Sequence, residues 1–176
     1  MEARVTDPNV FTRAEDQVWL RRTMRLGHLW ALIDACDIPD IAHVLLPLRG
    51  KQAACLYDGT PEQNDWAIGG WIVRLDEGLL QWVRDTLPRD SWGILLESRR
   101  TLPELLQHFQ QFVKVQTPDG KALFFRFYDP RVLPLYLEHA PPLERRAFCT
   151  GIVRLGGWDA EELLTWWHDP APEPAA

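Results

Sequence analysis

Residues 121–137 read Lys-Ala-Leu-Phe-Phe-Arg-Phe-Tyr-Asp-Pro-Arg-Val-Leu-Pro-Leu-Tyr-Leu, and this stretch decides the fold. In an extended segment, alternation puts Phe124, Arg126 and Tyr128 on one face and Phe125 and Phe127 on the other. A guanidinium among aromatic rings is tolerated when it stacks on them and meets a carboxylate. Asp129, Asp34 and Asp76 are the candidates for that carboxylate. Pro130 disfavours helical dihedrals at Asp129, which suits Asp129 as a helix cap with Pro130 in the first helical position. Pro134 removes another N–H four residues later, so the chain is expected to make one turn, break, and resume a helix to about His139. Two readings of the arginine follow. Arg126 and Asp129 form an internal clamp that fixes the corner, or Arg126, Tyr128 and Arg131 line a groove for a partner.

Working outward, Val113–Gln116 and Leu123–Tyr128 flank a Thr-Pro-Asp-Gly turn and predict a hairpin. Upstream, residues 101–113 predict a helix. Thr101 and Glu104 are spaced as a capping box, and Leu102, Leu105, Leu106, Phe109, Phe112 and Val113 fall on one face. Short apolar runs at 28–34, 53–57, 71–76 and 91–96 predict strands. Helical patterns occupy 11–26, 38 to about 48, and 79 to about 88, and Pro141-Pro142 opens another to about Cys149. The segment 161–168, which holds Trp166 and Trp167, fits a strand or a short helix equally. Strands alternating with helices imply an α/β domain, and the added hairpin makes its sheet mixed and flanked by helices. The expected layout is an N-terminal helix within 1–27, an α/β domain over 28–168 and a disordered tail at 169–176, with residues 1–10 frayed.

Composition bounds the function. The chain has 176 residues, 46% hydrophobic and 25% charged, and a formal net charge of -6. One domain of this length buries about 70% of its unfolded surface. The acidic average repels nucleic acid and anionic membrane, so neither is expected as a partner. Arginines at 21, 22 and 25, at 99 and 100, and at 145 and 146 fall in short clusters that read as solvated helix faces. Three cysteines, Cys36, Cys55 and Cys149, have no disulfide or metal spacing and suit a reducing compartment. The N-terminus lacks the apolar core of a signal peptide, and no run approaches the ~20 apolar residues of a membrane span, so a cytoplasmic location is expected. Nine tryptophans are unusual for this length. About two-thirds are expected in or beside the core, with the rest part-exposed where indoles favour interfaces.

Catalytic patterns are absent. Ser91 precedes Trp92-Gly93 but lies in no Gly-x-Ser-x-Gly elbow. The pairs Gly69-Gly70 and Gly156-Gly157 are not phosphate loops, and no cysteine–histidine or ligand-type histidine spacing occurs. No catalytic, cofactor or metal site is expected.

Four segments carry a family resemblance. Leu29-Trp30-Ala31-Leu32-Ile33-Asp34, Leu56-Tyr57-Asp58-Gly59-Thr60-Pro61-Glu62, Ser91-Trp92-Gly93-Ile94 and Phe125 through Leu133 occur in order. Together they resemble the signature of the adaptors, or effector chaperones, of the type VI secretion system (Tap/Tec-type), over roughly 28–168. The resemblance implies a non-catalytic protein that binds a cognate secreted effector and helps load it onto the C-terminal region of the VgrG spike. It transfers no active-site residue. Trp92, Arg126, Tyr128, Asp129, Arg131, Trp166 and Trp167 are the candidates for partner contact or corner clamp, with Trp166, Trp167 and the 113–128 hairpin expected at a sheet edge open to an extended effector segment. A competing reading is an immunity-type protein that binds and neutralises a toxin.

Overall fold

The structure, a computed structural model, describes residues 13–36, 38, 40–87, 92–117, 119–159 and 162–168. The expected frayed start, the expected disordered tail and Ser91 lie outside these residues.

The run Leu29–Asp34 forms β1, buried along its whole length. A strand covered on both faces needs this kind of continuous apolar sequence. It lies in the middle of a six-stranded sheet, between β3 (Gly70–Arg74) and β4 (Gly93–Glu97), antiparallel to both. β2 (Ala53–Cys55) pairs outside β3, while β7 (Arg154–Asp159) and β8 (Glu162–His168) extend the sheet beyond β4, giving the order β2-β3-β1-β4-β7-β8.

Alternating strands and helices are present as expected, with helices flanking the sheet, but every paired neighbour in it is antiparallel. The connections explain this. The helix α2 (Ile41–Leu45) joins β1 to β2, and α3 (Glu77–Thr86) joins β3 to β4. Each crossover links strands of the same direction but skips the strand between them. The first four strands therefore follow the split β-α-β-β-α-β arrangement. β7 has no counterpart among the predicted strands: its Arg-Leu-Gly-Gly-Trp-Asp sequence carries two glycines, which weaken any strand signal. Its pairing with β8 makes 162–168 a strand.

Between β4 and β7 the chain makes a long excursion: α4 (Leu102–Gln110), a ribbon of β5 (Lys114–Gln116) and β6 (Ala122–Phe124), then α5 (Leu133–His139) and α6 (Pro142–Phe148). The ribbon is a separate two-stranded sheet and does not join the main one. The capping box that starts α4 is formed as its sequence predicts. α4 lies over β2 and β3, and α5 meets β8. The excursion is welded together by rings. Phe109 stacks on Phe127 at 5.4 Å, Phe148 meets both edge-on, and Phe125 packs on Tyr136 at 4.9 Å. Such pairs add about 0.5–1.5 kcal/mol each beyond the area they bury.

The helix α1 (Arg13–Arg25) covers the opposite face of the sheet, where Leu29, Glu97 and Arg154 are aligned by register. Arg154 is fully buried there. Its guanidinium bonds Asp16 at 2.8 Å and the Thr165 hydroxyl at 2.7 Å, and lies 4.2 Å from the ring of Trp19. The Trp19 indole in turn donates to Glu97. Burial pushes the Arg154 pKa down, against the pull of Asp16. Asp16→Ala is expected to cost about 3 kcal/mol in chemical denaturation, because it strips the bonded carboxylate from a buried cation. Combining it with Arg154→Met should recover much of that loss, since the apolar side chain needs no counter-charge.

Candidate functional site

The aromatic–arginine stretch meets the sheet at the end of β1. Asp34, the last residue of that strand, donates its backbone N–H to the Trp92 carbonyl at 2.9 Å. One oxygen of its carboxylate accepts from Arg126 Nε at 3.1 Å and from Nη2 at 2.5 Å, and the other accepts from the Cys36 backbone N–H at 3.1 Å. The Asp34 side chain is 3% exposed and that of Arg126 36%. Burial works against the Arg126 charge, but the Asp34 carboxylate outweighs it and raises the guanidinium pKa still further. Two residues on, Tyr128 meets Tyr57; burial first, and then this neighbour, push the Tyr128 pKa well up. The Tyr128 ring fills the space beside Gly70, where a Cβ would lie 2.5 Å from it. Phe124 packs on Tyr57 at 5.6 Å. The alternation of Phe124, Arg126 and Tyr128 against Phe125 and Phe127 is therefore realised, although the strand itself ends at Phe124.

The clamp between Arg126 and Asp129 does not form; two ion pairs take its place. Asp129 is gripped by Arg131, whose Nη2 and Nε lie at 2.7 and 2.9 Å, and whose backbone N–H also reaches Asp129 at 2.8 Å. A guanidinium two residues along a turn can fold back onto a carboxylate, whereas Arg126 is drawn into the sheet. Burial would raise the Asp129 pKa, yet the bonds from Arg131 hold it below the usual carboxylate range. Pro134 sits in the first turn of α5, where its missing N–H costs nothing.

The Asp-Gly-Thr-Pro turn supplies the other half of the corner. Asp58 accepts from the Cys55 backbone N–H at 3.0 Å and is ion-paired to Arg49. Gly59 takes a φ of 74°, and the Thr60 hydroxyl donates to the Tyr57 carbonyl at 2.8 Å. Glu62 then pairs with Lys114 on β5, tying the ribbon to the turn. Both strands of the ribbon are exposed along their length. Val115 and Leu123, opposite each other across the two strands, are 43% and 51% exposed, and Phe124 is 50% exposed.

The candidate residues thus separate. Trp92 is buried and acts through its carbonyl on Asp34. Arg126, Tyr128, Asp129 and Arg131 form the corner. Trp166 and Trp167 are three strands away from β1 on β8, the sheet's outer edge. A register shift between Leu155 and Gly156 places Trp167 opposite Leu155, and Trp166 packs on Gly157, where a Cβ would lie 2.4 Å from its ring. Both indoles are half-buried, and none of the other tryptophans with a described side chain is exposed. Sequence reasoning placed Tyr57 at the end of a buried strand and in the Leu56–Glu62 segment but missed it as the neighbour of Tyr128, and it missed the Arg154 group altogether. Among the described residues no three His, Cys, Asp or Glu side chains gather as metal ligands. No described helix is long and apolar enough to cross a membrane.

A family model, that of the domain of unknown function DUF4123, matches residues 29–147. The match spans more than half of the chain, and the chain belongs to this family. It runs from β1 through most of α6 and takes in the whole corner, while α1, β7 and β8 lie beyond it. No curated protein and no solved structure gives a significant match.

Asp129 makes stability pH-dependent in a definite direction. Its folded pKa lies below its unfolded value of about 3.9, so its contribution is complete above about pH 4 and is lost as the pH falls through the folded value. Asp129→Asn is expected to lower stability at neutral pH by about 1–3 kcal/mol. It should also flatten the acid limb of a thermal-denaturation profile below about pH 4.

Proposed function

We propose that this member of the DUF4123 family is a non-catalytic adaptor of the type VI secretion system, binding a cognate effector and helping to load it onto the C-terminal region of the VgrG spike in the cytoplasm. The observation that carries this reading is the ribbon of β5 and β6. It holds Val115, Leu123 and Phe124 toward solvent on a base fixed by the Lys114–Glu62 and Arg126–Asp34 pairs. Large apolar side chains on a rigid projection are suited to a partner's groove. A preformed surface limits the ordering cost of association.

Loading also requires release. An interface of about 1,600 Å², anchored by a few aromatic and arginine side chains, holds a protein selectively without making the complex permanent. The outer strand β8 is an edge of the main sheet, where an extended segment can add as a further strand.

Co-expression with candidate effector toxins and a VgrG spike tests the reading. Affinity capture is expected to recover the toxin in stoichiometric amount and the spike's C-terminal region with it. The Val115→Asp/Leu123→Asp variant should lose at least about tenfold in toxin recovery while its melting temperature stays close to that of the parent, since exposed substitutions move stability by only about 0.5 kcal/mol. In a toxicity assay the chain alone should not protect cells. Protection without the spike would replace the adaptor reading with that of an immunity protein.

A further inference from the structure

At the opposite end of β1 from Asp34, and on the same face, a cleft of about 610 Å³ opens between the sheet and the start of α4. Its floor is apolar, made by Trp30, Ala54 and Leu106. Its walls are cationic: Lys51, Arg74, Arg99 and Arg100 come from three separate segments of the chain. A fifth cation, Arg49, is already paired with Asp58. None of the other four has a carboxylate within ion-pair distance among the described residues. The acids nearby are engaged elsewhere. Asp76, near Arg74, accepts from the Leu79 N–H and from Gln52, each at 2.9 Å. Glu104, near Arg100, is turned back onto Thr101 at 2.7 Å.

A chain with net charge -6 gains nothing in stability by grouping four cations around one cleft, because like charges at close range repel. Their grouping makes sense if an anion completes them. The distribution selects the anion's class. A single phosphate calls for donors converging on one point, whereas these cations stand around an apolar floor and answer several separated charges with apolar groups between them. A nucleic acid would meet the repulsion of the whole acidic molecule, while a short peptide presents only local charge.

We propose that this cleft binds an acidic peptide segment of a partner protein, its carboxylates on Lys51, Arg74 and Arg99 and an apolar side chain on Trp30. Its Trp30 end lies about 13 Å along β1 from Asp34, and its rim includes the Arg49–Asp58 pair of the turn. The proposal does not require the partner to be an effector or a spike.

The test uses the whole chain alone, with a short fluorescein-labelled peptide alternating glutamate with leucine and followed by polarisation. The peptide is expected to bind with an affinity that weakens as salt is raised, and its glutamine counterpart to bind at least about tenfold more weakly. The Arg74→Glu/Arg99→Glu variant, both positions being solvent-exposed, should lose about tenfold in affinity with an unchanged melting temperature. Equal binding of the glutamate and glutamine peptides would overturn the proposal, as would an unaffected variant. Displacement of the peptide by inorganic phosphate at equal concentration would point instead to a small-anion site and also overturn it.

Discussion

The carboxylate of Asp34 is buried at the end of the central strand and must be neutralised where it lies. A carboxylate taken out of water without a counter-charge costs several kcal/mol, and nothing on the strand itself can repay it. The cation comes from Arg126, 92 residues further along the chain. That single requirement brings the middle of the excursion, between β6 and α5, down onto the sheet. Once Arg126 is placed, Tyr128 is carried to Tyr57 and Gly70, and Phe125 and Phe127 turn into the ring cluster with Phe109, Tyr136 and Phe148. The two faces of this segment therefore do different work: Arg126 and Tyr128 bind the sheet, and Phe125 and Phe127 bind the helices.

This arrangement separates support from display. The corner is closed and satisfied: its carboxylates are bonded, its tyrosines are bonded to one another, and Trp92 contributes from within. What faces solvent is mounted on it. The ribbon is tied to the Glu62 turn, the cationic cleft opens between the Trp30 end of β1 and the start of α4, and β8 forms the far edge of the sheet. The proposed adaptor role asks for more than one docking surface, and the ribbon, the cleft and β8 are the features it would use. The buried group of Arg154, Asp16 and Trp19 does the same for the elements beyond the family match, locking α1 onto the sheet beside β7 and β8.

Much of this was legible in the residues. The continuous apolar run at 29–34 announced a strand covered on both faces, the Thr101–Glu104 spacing announced the start of α4, and the alternation about Arg126 was read with its faces correct. Strand direction was not legible, because a crossover that skips a strand leaves the same local pattern as one that does not. Asp34 could be named as one of three possible partners for Arg126, but the choice between a neighbour in sequence and a residue across the fold belongs to tertiary structure. The favoured neighbour, Asp129, was taken by Arg131 through a turn that local spacing allowed equally well. β7 was hidden by its glycines, and with it Arg154, since a lone arginine beside a glycine pair gives no hint of burial.

The coupling between Asp34 and Arg126 is open to direct measurement by a double-mutant cycle in chemical denaturation, with Asp34→Ala, Arg126→Ala and the double variant. If their ion pair holds the excursion on the sheet, the two substitutions must be strongly non-additive. A coupling energy of about 1.5–3 kcal/mol is expected for a charged pair with one partner buried. Additive losses, with a coupling indistinguishable from zero, would contradict the account.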